Sequence, residues 1–537
     1  MDTLDVEVLI VGGGPVGLSA SIELSRHGIS SLLVEKHPGT SIFPKARLIS
    51  TRTMELFRAW GIQEEVERTG MPREGVLAVG VGTSLAARDF LRAAAAIQED
   101  APQSPTYTCL CSQDLLEVIL RRHAEERPVA QVRFATAMTE TRTTPGGVET
   151  VVESGQGRTL VRSRYLVAAD GSRSTIREGL GIGVEGPPPM GHMISVMFDA
   201  DLGGLPGDRR AALSFLRSDP PCAVEAVDNR RRWMLQTGYD PAEGGSAQDF
   251  TEDVCLAAVR SAVGIPDLPV RILGVMPWLQ QAVVATGFRD GPVFLAGDAA
   301  HVATPQGGFG MNCGIQDAHN LAWKLAAVLR GIAGEELLAT YEAERRPIAS
   351  RTVEESLVNA LITFRMMQGK LSMRESIEQQ AGRRSSEGLI LGFHYRSDAV
   401  VPDGTPEPAP EDPYRTYVPT ARPGHRAPHV WLSRQGGRVS TLDLLGPSFT
   451  LMTPAGGGWL QPAKEAAHRL GAALTTVEIS PDGSAPLTSP TWADEYGVGA
   501  NGAVLVRPDG HVGWRSPGGE ASQDALAGAL AAILARS

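Results

Sequence analysis

Residues 6–11, Val-Glu-Val-Leu-Ile-Val, run straight into Gly12-Gly13-Gly14-Pro15-Val16-Gly17. An apolar run broken only by Glu7 suits a strand buried on both faces of a parallel sheet. The next stretch has Leu18 and Ile22 at helical spacing and stops at Gly28, and a second strand over 31–34 leads into Glu35. Strand, Gly-x-Gly-x-x-Gly, helix, strand and an acidic residue about 20 positions on is the order that seats a pyrophosphate on a helix amino end. Glu35 would accept hydrogen bonds from an adenosine ribose and oppose a 2′-phosphate, so the spacing points to FAD or NAD, not NADP, as the tightly held ligand.

A second stretch of the same character spans 293–317. Asp290, Gly291 and Pro292 introduce an apolar strand over 293–296, and Gly297-Asp298 end it. After Pro305, Gly307, Gly308 and Gly310 let the backbone approach something flat or anionic, because no Cβ intervenes. A helix follows at once, with Ile315, Ala318, Ala322, Leu325, Ala326 and Leu329 on one face. Its amino end offers free N–H groups and the positive end of a dipole. A third strand end, over 164–169, leads into Asp170-Gly171-Ser172-Arg173-Ser174, which suits either a plain turn or ligand-facing polar groups. Between these signals lie Lys45, Ala46 and Arg47, a helix over 52–60, a loosely patterned, Ala-rich stretch over 75–103, a helix over 113–123, and strands over 131–136 and 147–153. Arg47 reads equally well as a pyrophosphate partner and as a solvated arginine.

With 537 residues the chain exceeds one ordinary core and suggests about three domains. A net charge of −11, with no basic run longer than 230–232, argues against a nucleic-acid partner. The five cysteines form no Cys-x-x-Cys pair and no zinc-like spacing with histidine, so no metal is expected and a reduced, cytoplasmic setting fits. The acidic start of the chain lacks the basic region of a signal peptide, and no apolar run reaches membrane-spanning length.

Between 186 and 288 the pattern turns to period-two strands, over 192–202, 211–216, 223–227 and 232–239, then a helix over 252–263 and a strand over 270–275. This predicts an antiparallel sheet inserted into the α/β fold. Met197, Phe215, Trp233 and Met234 are candidates to line an apolar pocket there, although core packing is the commoner fate of such residues. Helical spacing is expected over 354–396. Eight prolines between Pro402 and Pro428 then mark an extended linker. The last part reads strand, helix, strand, hairpin, helix, the order of a thioredoxin-like domain. No cysteine follows Cys313, which rules out dithiol chemistry in that domain.

Together, the Gly12-x-Gly14-x-x-Gly17 turn with Glu35, the Asp170-Gly171 segment and Gly297-Asp298-Ala-Ala-His301 resemble the three fingerprints of single-component FAD-dependent aromatic hydroxylases. Arg426-Ala-Pro-His-Val-Trp-Leu432 and Val504-Leu-Val-Arg-Pro-Asp-Gly510 resemble the tail of the large members that tailor aromatic polyketides and indolocarbazoles. The resemblance implies an α/β chain, α+β overall: a Rossmann-type FAD domain over 1–185 and 286–398, and a substrate sheet over 186–285 with part of 75–103. A linker over 399–428 and a thioredoxin-like domain over 429–537 complete it.

It also implies roles. Gly12, Gly14, Pro15, Val16 and Gly17 would cradle the FAD pyrophosphate, Glu35 and Lys36 would lie at the ribose, and Gly297 and Asp298 at the ribityl chain. Arg47 and Gln113 occupy positions that contact FAD in the family, and Asp170 lies in the segment that the family uses for both FAD and the nicotinamide cofactor. Gly308, Gly310, Met311 and Asn312 would meet the flavin pyrimidine edge, with Pro305 beside its reactive face. Cys313 stands where relatives usually carry a small hydroxyl residue. The implied reaction is hydroxylation of a polycyclic phenolic, polyketide-like substrate by O2 through a flavin hydroperoxide, with NADPH or NADH as a transient reductant. His301, Arg47 and Arg365 are candidates for a catalytic part. Baeyer–Villiger insertion, oxidative rearrangement and a flavin-binding protein without turnover are the alternatives. A flavin halogenase fits less well, since the chain has no Trp-x-Trp-x-Ile-Pro segment. A monomer or homodimer is expected.

Overall fold

The computed structural model describes residues 2–72, 78–93, 103–205, 211–228, 230–371, 375, 386–434, 437–480 and 491–536. The chain opens with β1 (Asp2–Val11), α1 (Pro15–Arg26) and β2 (Ser31–Val34). Val8, Leu9 and Ile10 are fully buried because β1 lies inside the sheet, parallel to β2 on one side and to a later strand on the other. Pro15 sits in the first turn of α1, where its missing N–H costs no hydrogen bond. In α2 (Thr51–Trp60), Ser50 accepts the Thr53 N–H as amino-terminal cap and Gly61 closes the helix.

Two short strands, β3 (Val79–Gly82) and β4 (Leu91–Ala93), then leave for a second sheet. The Ala-rich part of the 75–103 stretch, 94–102, lies outside the described residues. After α3 (Gln113–Glu125), β5 (Ala130–Arg133) joins β2 in parallel. An antiparallel meander of β6 (Thr136–Thr144), β7 (Gly147–Ser154) and β8 (Gly157–Ala168) brings β8 back beside β1.

The second sheet holds β9 (Gly191–Asp199), β10 (Leu213–Leu216), β11 (Cys222–Ala226), β12 (Arg232–Tyr239) and β13 (Arg271–Gln280), with α4 (Glu252–Val263) on one face. Its order is β13-β9-β12-β11-β10-β3-β4. The expected antiparallel pairing holds except between β10 and β3, which run parallel. No hairpin joins those two; β3 reaches the sheet edge from a segment some 130 residues earlier, so nothing forces antiparallel pairing. Strand alternation sends Ile194, Val196, Phe198, Trp233 and Leu235 toward α4, where they form one core with Cys255, Val259 and Val263.

The chain then returns to the first sheet through β14 (Arg289–Asp290) and β15 (Val293–Leu295), which give the order β14-β15-β8-β1-β2-β5. Next come α5 (Gly310–Leu329) and α6 (Ala339–Met367). The helical expectation over 354–396 needs correction at both ends. α6 begins much earlier and runs through Pro347, because Tyr341, Arg345, Ile348 and Ala349 are buried against the sheet and α5. It ends at Met367, just before Gly369 adopts φ +69°. Only a short turn, Glu387–Ile390, is helical beyond the segments 372–374 and 376–385, which lie outside the described residues.

The proline-rich stretch over 402–428 contains no helix and no ladder longer than a single bridge; its first half is largely exposed, but 421–428 are almost entirely buried. Tyr417, Ala421 and Ala427 are buried, Arg415 pairs with Glu355 of α6, and Arg426 pairs with Glu55 of α2. Past it, β16 (Phe449–Pro454), α7 (Leu460–Leu470), β17 (Leu474–Ile479), β18 (Ala503–Val506), β19 (Val512–Ser516) and α8 (Gln523–Ile533) build a sheet of order β17-β16-β18-β19. One parallel pair and two antiparallel pairs make this the thioredoxin-like arrangement. No helix among the described residues is long and apolar enough to cross a membrane.

Candidate functional site

The three glycines of the first turn do different jobs. Gly12 has φ +117°, and a Cβ there would lie 2.2 Å from the Ala169 carbonyl oxygen at the end of β8. A Cβ on Gly17 would lie 2.0 Å from the Gly12 backbone oxygen, so α1 can rest on the turn only if position 17 is glycine. A Cβ on Gly14 would meet nothing within 4 Å. Gly14 therefore faces open space at the amino end of α1, which has no side-chain cap. Pro15 is buried, and the Val16 side chain lies against Gly297.

Glu35 closes the other side of the turn. Its carboxylate accepts the Gly13 N–H at 2.7 Å and the His37 N–H at 2.9 Å. Burial raises its pKa, but these bonds and the His37 ring outweigh burial and hold it below the usual carboxylate value. Lys36 beside it is exposed.

Two further strand ends meet this turn. Ala169 donates to Val11, and behind it Asp170 accepts the Ile176 N–H at 3.3 Å through Oδ2 while its buried Oδ1 has no partner among the described residues. From β15 comes Gly297-Asp298. Asp298 is accessible to solvent although protein surrounds it, which places it in a deep recess. Burial pushes its carboxyl up, and the charges of His301 and Lys45 oppose that.

The recess continues to the amino end of α5. Gly307 and Gly308 adopt φ +111° and +65°; a Cβ on the first would strike the Phe309 ring and on the second the Leu48 side chain. Gly308 donates to the Pro305 carbonyl at 3.0 Å, and Pro305 is exposed. α5 also begins without a side-chain cap, so the amino end at Gly310, Met311 and Asn312 presents its dipole to the recess. A Cβ on Gly310 would lie 4.0 Å from Asp298 Oδ1. The Asn312 side chain is fully used: it accepts the Ser50 N–H and donates to the Leu48 and Gly308 carbonyls, fastening α5 to the segment before α2.

His301 lies under this floor and not in the recess. It is buried, with Nε2 2.7 Å from Asp317 Oδ2, and Asp317 Oδ1 accepts from Arg345 Nε at 2.7 Å. Burial opposes a charge on the imidazole, but Cys313 and Asp317 outweigh it and hold His301 well above its ordinary value. Burial likewise raises Asp317, and His301 and Arg345 overcome this and lower it. Arg345 also donates to the Cys313 carbonyl at 3.1 Å and stands 3.3 Å from its sulfur.

Other expected side chains are occupied elsewhere. The Arg47 guanidinium stands 3.0 Å from Glu225 and donates to the Ala226 carbonyl at 2.8 Å, both on β11 of the second sheet. Gln113 gives its side-chain amide to Glu117, while its backbone N–H bonds to Ala46. Arg365 is exposed on α6.

Of the four pocket candidates on the second sheet, the structure separates one from the rest. Met197, Phe215 and Met234 point to the face opposite α4, but Trp233 points into the α4 core and donates to the Ala200 carbonyl at 3.1 Å. Trp233 and Met234 are adjacent on one strand, so only one of them can face a pocket. The same alternation identifies residues that sequence reasoning passed over: Ser195 and Gln236 share the open face, and Trp278 donates to Ser195 Oγ at 2.9 Å. Reading period two outward from Met197 would have found Ser195. Lys45, whose charge acts on both Asp298 and Glu117, had no such signal.

Three parallel-strand ends, a glycine turn under one bare helix amino end, and a second bare amino end across a carboxylate recess define a dinucleotide-type flavoprotein site. Comparison with known proteins agrees. The FAD binding domain family matches residues 5–356, and the aromatic-ring hydroxylase C-terminal family matches 420–537. Tetracenomycin A2 monooxygenase-dioxygenase of Streptomyces glaucescens is 40% identical over 572 aligned positions, covering 100% of this chain and 98% of the relative. Aklavinone 12-hydroxylase RdmE of Streptomyces purpurascens is 37% identical, with both chains covered completely. Among solved structures, the flavin-dependent monooxygenase PieE in complex with FAD and substrate superposes with a TM-score of 0.91 at 33% identity, covering 100% of each chain. The ternary complex of aklavinone-11 hydroxylase with FAD and aklavinone gives 0.88 at 34%, covering 99% of each. The chain belongs to the family of FAD-dependent aromatic-ring hydroxylases, and it is an oxidoreductase of the monooxygenase class with FAD as its cofactor.

Proposed function

We propose that this enzyme hydroxylates a polycyclic phenolic substrate with O2 and a nicotinamide reductant. The observation that carries the reading is the second sheet's methionine-bearing face, which the flavin domain frames from several sides. Bound FAD would supply the redox chemistry, accepting reducing equivalents from NADPH or NADH and activating oxygen.

The chain's own residues bind, orient and exclude water. Gly12, Gly14 and Gly17 with the amino end of α1 would hold the pyrophosphate, Glu35 and Lys36 the adenosine ribose, and Asp298 the ribityl chain. Pro305 and the backbone of Gly308, Gly310, Met311 and Asn312 would edge the flavin ring, where the α5 dipole favours the negative charge of the reduced state. Gly14 facing empty space, the unpartnered Asp170 Oδ1 and the recessed Asp298 all fit such a ligand. His301 is a positioning residue beneath the recess. Arg47 and Gln113 would contact FAD after exchanging their present partners or through their backbones.

The reading assigns 1–185 and 286–398 to the flavin domain, 186–285 to the substrate sheet, 399–428 to the connection and 429–537 to the tail. It places a monomer or homodimer in the cytoplasm. Two relatives are named monooxygenase-dioxygenase, so more than one oxygen added to the product is a second outcome to look for.

The test is to mix the FAD-loaded protein with NADPH, O2 and a panel of polycyclic phenols, following flavin reduction and product mass. Substrate-accelerated reduction with at least one oxygen atom gained in an intact ring system supports hydroxylation. Ring insertion or cleavage would replace it by the Baeyer–Villiger reading, and ligand binding without turnover by a carrier role.

A further inference from the structure

We infer that the Gln236 carboxamide reads an oxygenated edge of the substrate, a hydroxyl beside a ring carbonyl. The inference rests on the polycyclic reading above.

The open face of the second sheet is a small lattice. Across neighbouring strands one row runs Met276, Ser195, Gln236, Ala223, Phe215, and the next runs Gly274, Met197, Met234, Glu225, Leu213. These side chains point away from α4, because their strand neighbours Ile194, Val196, Trp233 and Leu235 fill the α4 core.

Flavin-domain residues touch the rim of this lattice at separate points. The Phe43 ring lies on Gly274, where a Cβ would come within 2.9 Å of it. Arg47 pairs with Glu225 at 3.0 Å. Gln306, in the loop after Pro305, accepts from Gln280 at 3.2 Å. Met366 at the end of α6 packs on Phe215. The framed area is a flat, mostly apolar floor, suited to an aromatic ring system.

Polar groups on that floor are few, and most are occupied. Glu225 is held by Arg47, and Ser195 Oγ accepts from Trp278. Gln236 is on the middle one of the five strands that carry this lattice, is half-buried, and its side chain has no hydrogen-bond partner among the described residues. A carboxamide there carries one acceptor and two donors side by side. Covered by a ligand that offers nothing to bond, it would stay unsatisfied at a cost; an adjacent phenol and carbonyl would satisfy both ends. The floor thus selects hydroxyquinone-like rings over the bare hydrocarbon or unsubstituted quinone.

The experiment titrates FAD-loaded protein with 1,8-dihydroxyanthraquinone and with unsubstituted anthraquinone, following quenching of flavin and tryptophan fluorescence. Wild type should prefer the dihydroxy compound. Gln236→Leu should weaken that compound by about tenfold while leaving anthraquinone unchanged, as one well-made buried hydrogen bond predicts. Gln236→Met, which keeps the length but offers neither the donors nor the amide acceptor, should also lose the preference, and it serves if the leucine variant folds poorly. A preference retained in both variants, or absent from wild type while both compounds bind, overturns the role of Gln236 and leaves the polycyclic reading standing. Binding of neither compound to wild type overturns both.

Discussion

Asp317 Oδ2 lies 2.7 Å from His301 Nε2 and also accepts the Gly297 N–H at 3.0 Å, so one carboxylate oxygen joins a buried imidazole to the turn that presents Asp298. Its other oxygen pairs with Arg345, and all three side chains are fully buried. Asp317→Asn keeps the volume but leaves His301 and Arg345 without their counter-charge. Breaking a buried pair on one side costs about 3–5 kcal/mol. The variant should melt well below wild type and purify with less flavin, by the ratio of flavin to protein absorbance. An unchanged flavin content at a lowered melting temperature would show that the pair serves stability alone.

Asp298 itself tests the recess. Asp298→Ala removes a solvent-accessible carboxylate whose surroundings already disfavour its charge, so apo-protein stability should change by less than about 1 kcal/mol or rise slightly. FAD affinity should fall by about tenfold or more, the worth of a hydrogen bond to a charged group. Equilibrium dialysis of FAD against the two apo-proteins measures the ratio, and equal affinities would remove Asp298 from the cofactor site.

Acid should loosen the attachment of the C-terminal part first. Burial is the main cause that pushes His425 down to about 3 and His429 and His511 down to about 4, and all three lie where the proline-rich stretch and the thioredoxin-like part meet the rest. The unfolded chain takes up these protons near the ordinary imidazole value of 6.5, and the folded chain refuses them until pH 4 or below. The unfolded state therefore binds more protons in between, so stability is full above about pH 6.5 and falls as pH drops toward 4. At pH 5 each histidine contributes a loss on the order of 1–2 kcal/mol. Melting temperature followed from pH 7 to pH 5 should decline, and His429→Asn, which can keep the bond to Ser440, should flatten the slope.

What the sequence made legible follows from how local each signal is. The turn at 12–17, Glu35 and the Gly297-Asp298 end are short segments whose backbone chemistry is written in glycines and two carboxylates, and each lies at the end of a strand of the first sheet. Side chains that reach between distant segments were not legible. Nothing near Arg47 announces Glu225, and nothing near Pro347 says that α6 runs through it; both depend on packing partners far along the chain. Trp233 shows a third kind of gap, since composition marked it for a pocket while its place next to Met234 on one strand already assigned the two to opposite faces. The proline-rich stretch reads as a spacer by composition, but its buried Tyr417, Ala421 and Ala427 and its arginines, meeting Glu55 and Glu355, make it part of the fold.

The cysteines should be silent in the folded protein. All five are buried and unpaired, and burial pushes Cys109 and Cys111 up to about 12 and Cys222 up to about 11. Thiolate is the reactive form, so at pH 8 Cys109, Cys111 and Cys222 lack both access and charge, and burial also shields Cys255 and Cys313. Titration with a chromogenic disulfide reagent should detect almost no thiol within minutes in native buffer and five after denaturation in guanidinium. Rapid reaction of one thiol in the native state would show that its burial is relieved by local opening.

A fully buried charge cluster couples the flavin domain to the tail. Glu344 of α6 accepts from Lys324 of α5 at 2.7 Å and from Arg507 at 2.6 and 2.9 Å, while Arg507 also pairs with Asp509. Asp509 in turn accepts from Asn320 and Trp323 of α5, each at 3.2 Å, and its carbonyl accepts from Arg52 of α2. Two positive and two negative charges, all fully buried, balance there, so removing one leaves a net buried charge. Glu344→Gln should therefore cost about 3–5 kcal/mol, whereas replacing Lys324 and Glu344 together by Met and Leu keeps the balance between Arg507 and Asp509 and should recover most of that loss. Melting temperatures of the single and double variants decide it. A double variant no more stable than Glu344→Gln would mean that the hydrogen bonds Glu344 makes to Asn320 and Ser397, and not charge balance, hold the tail against the flavin domain.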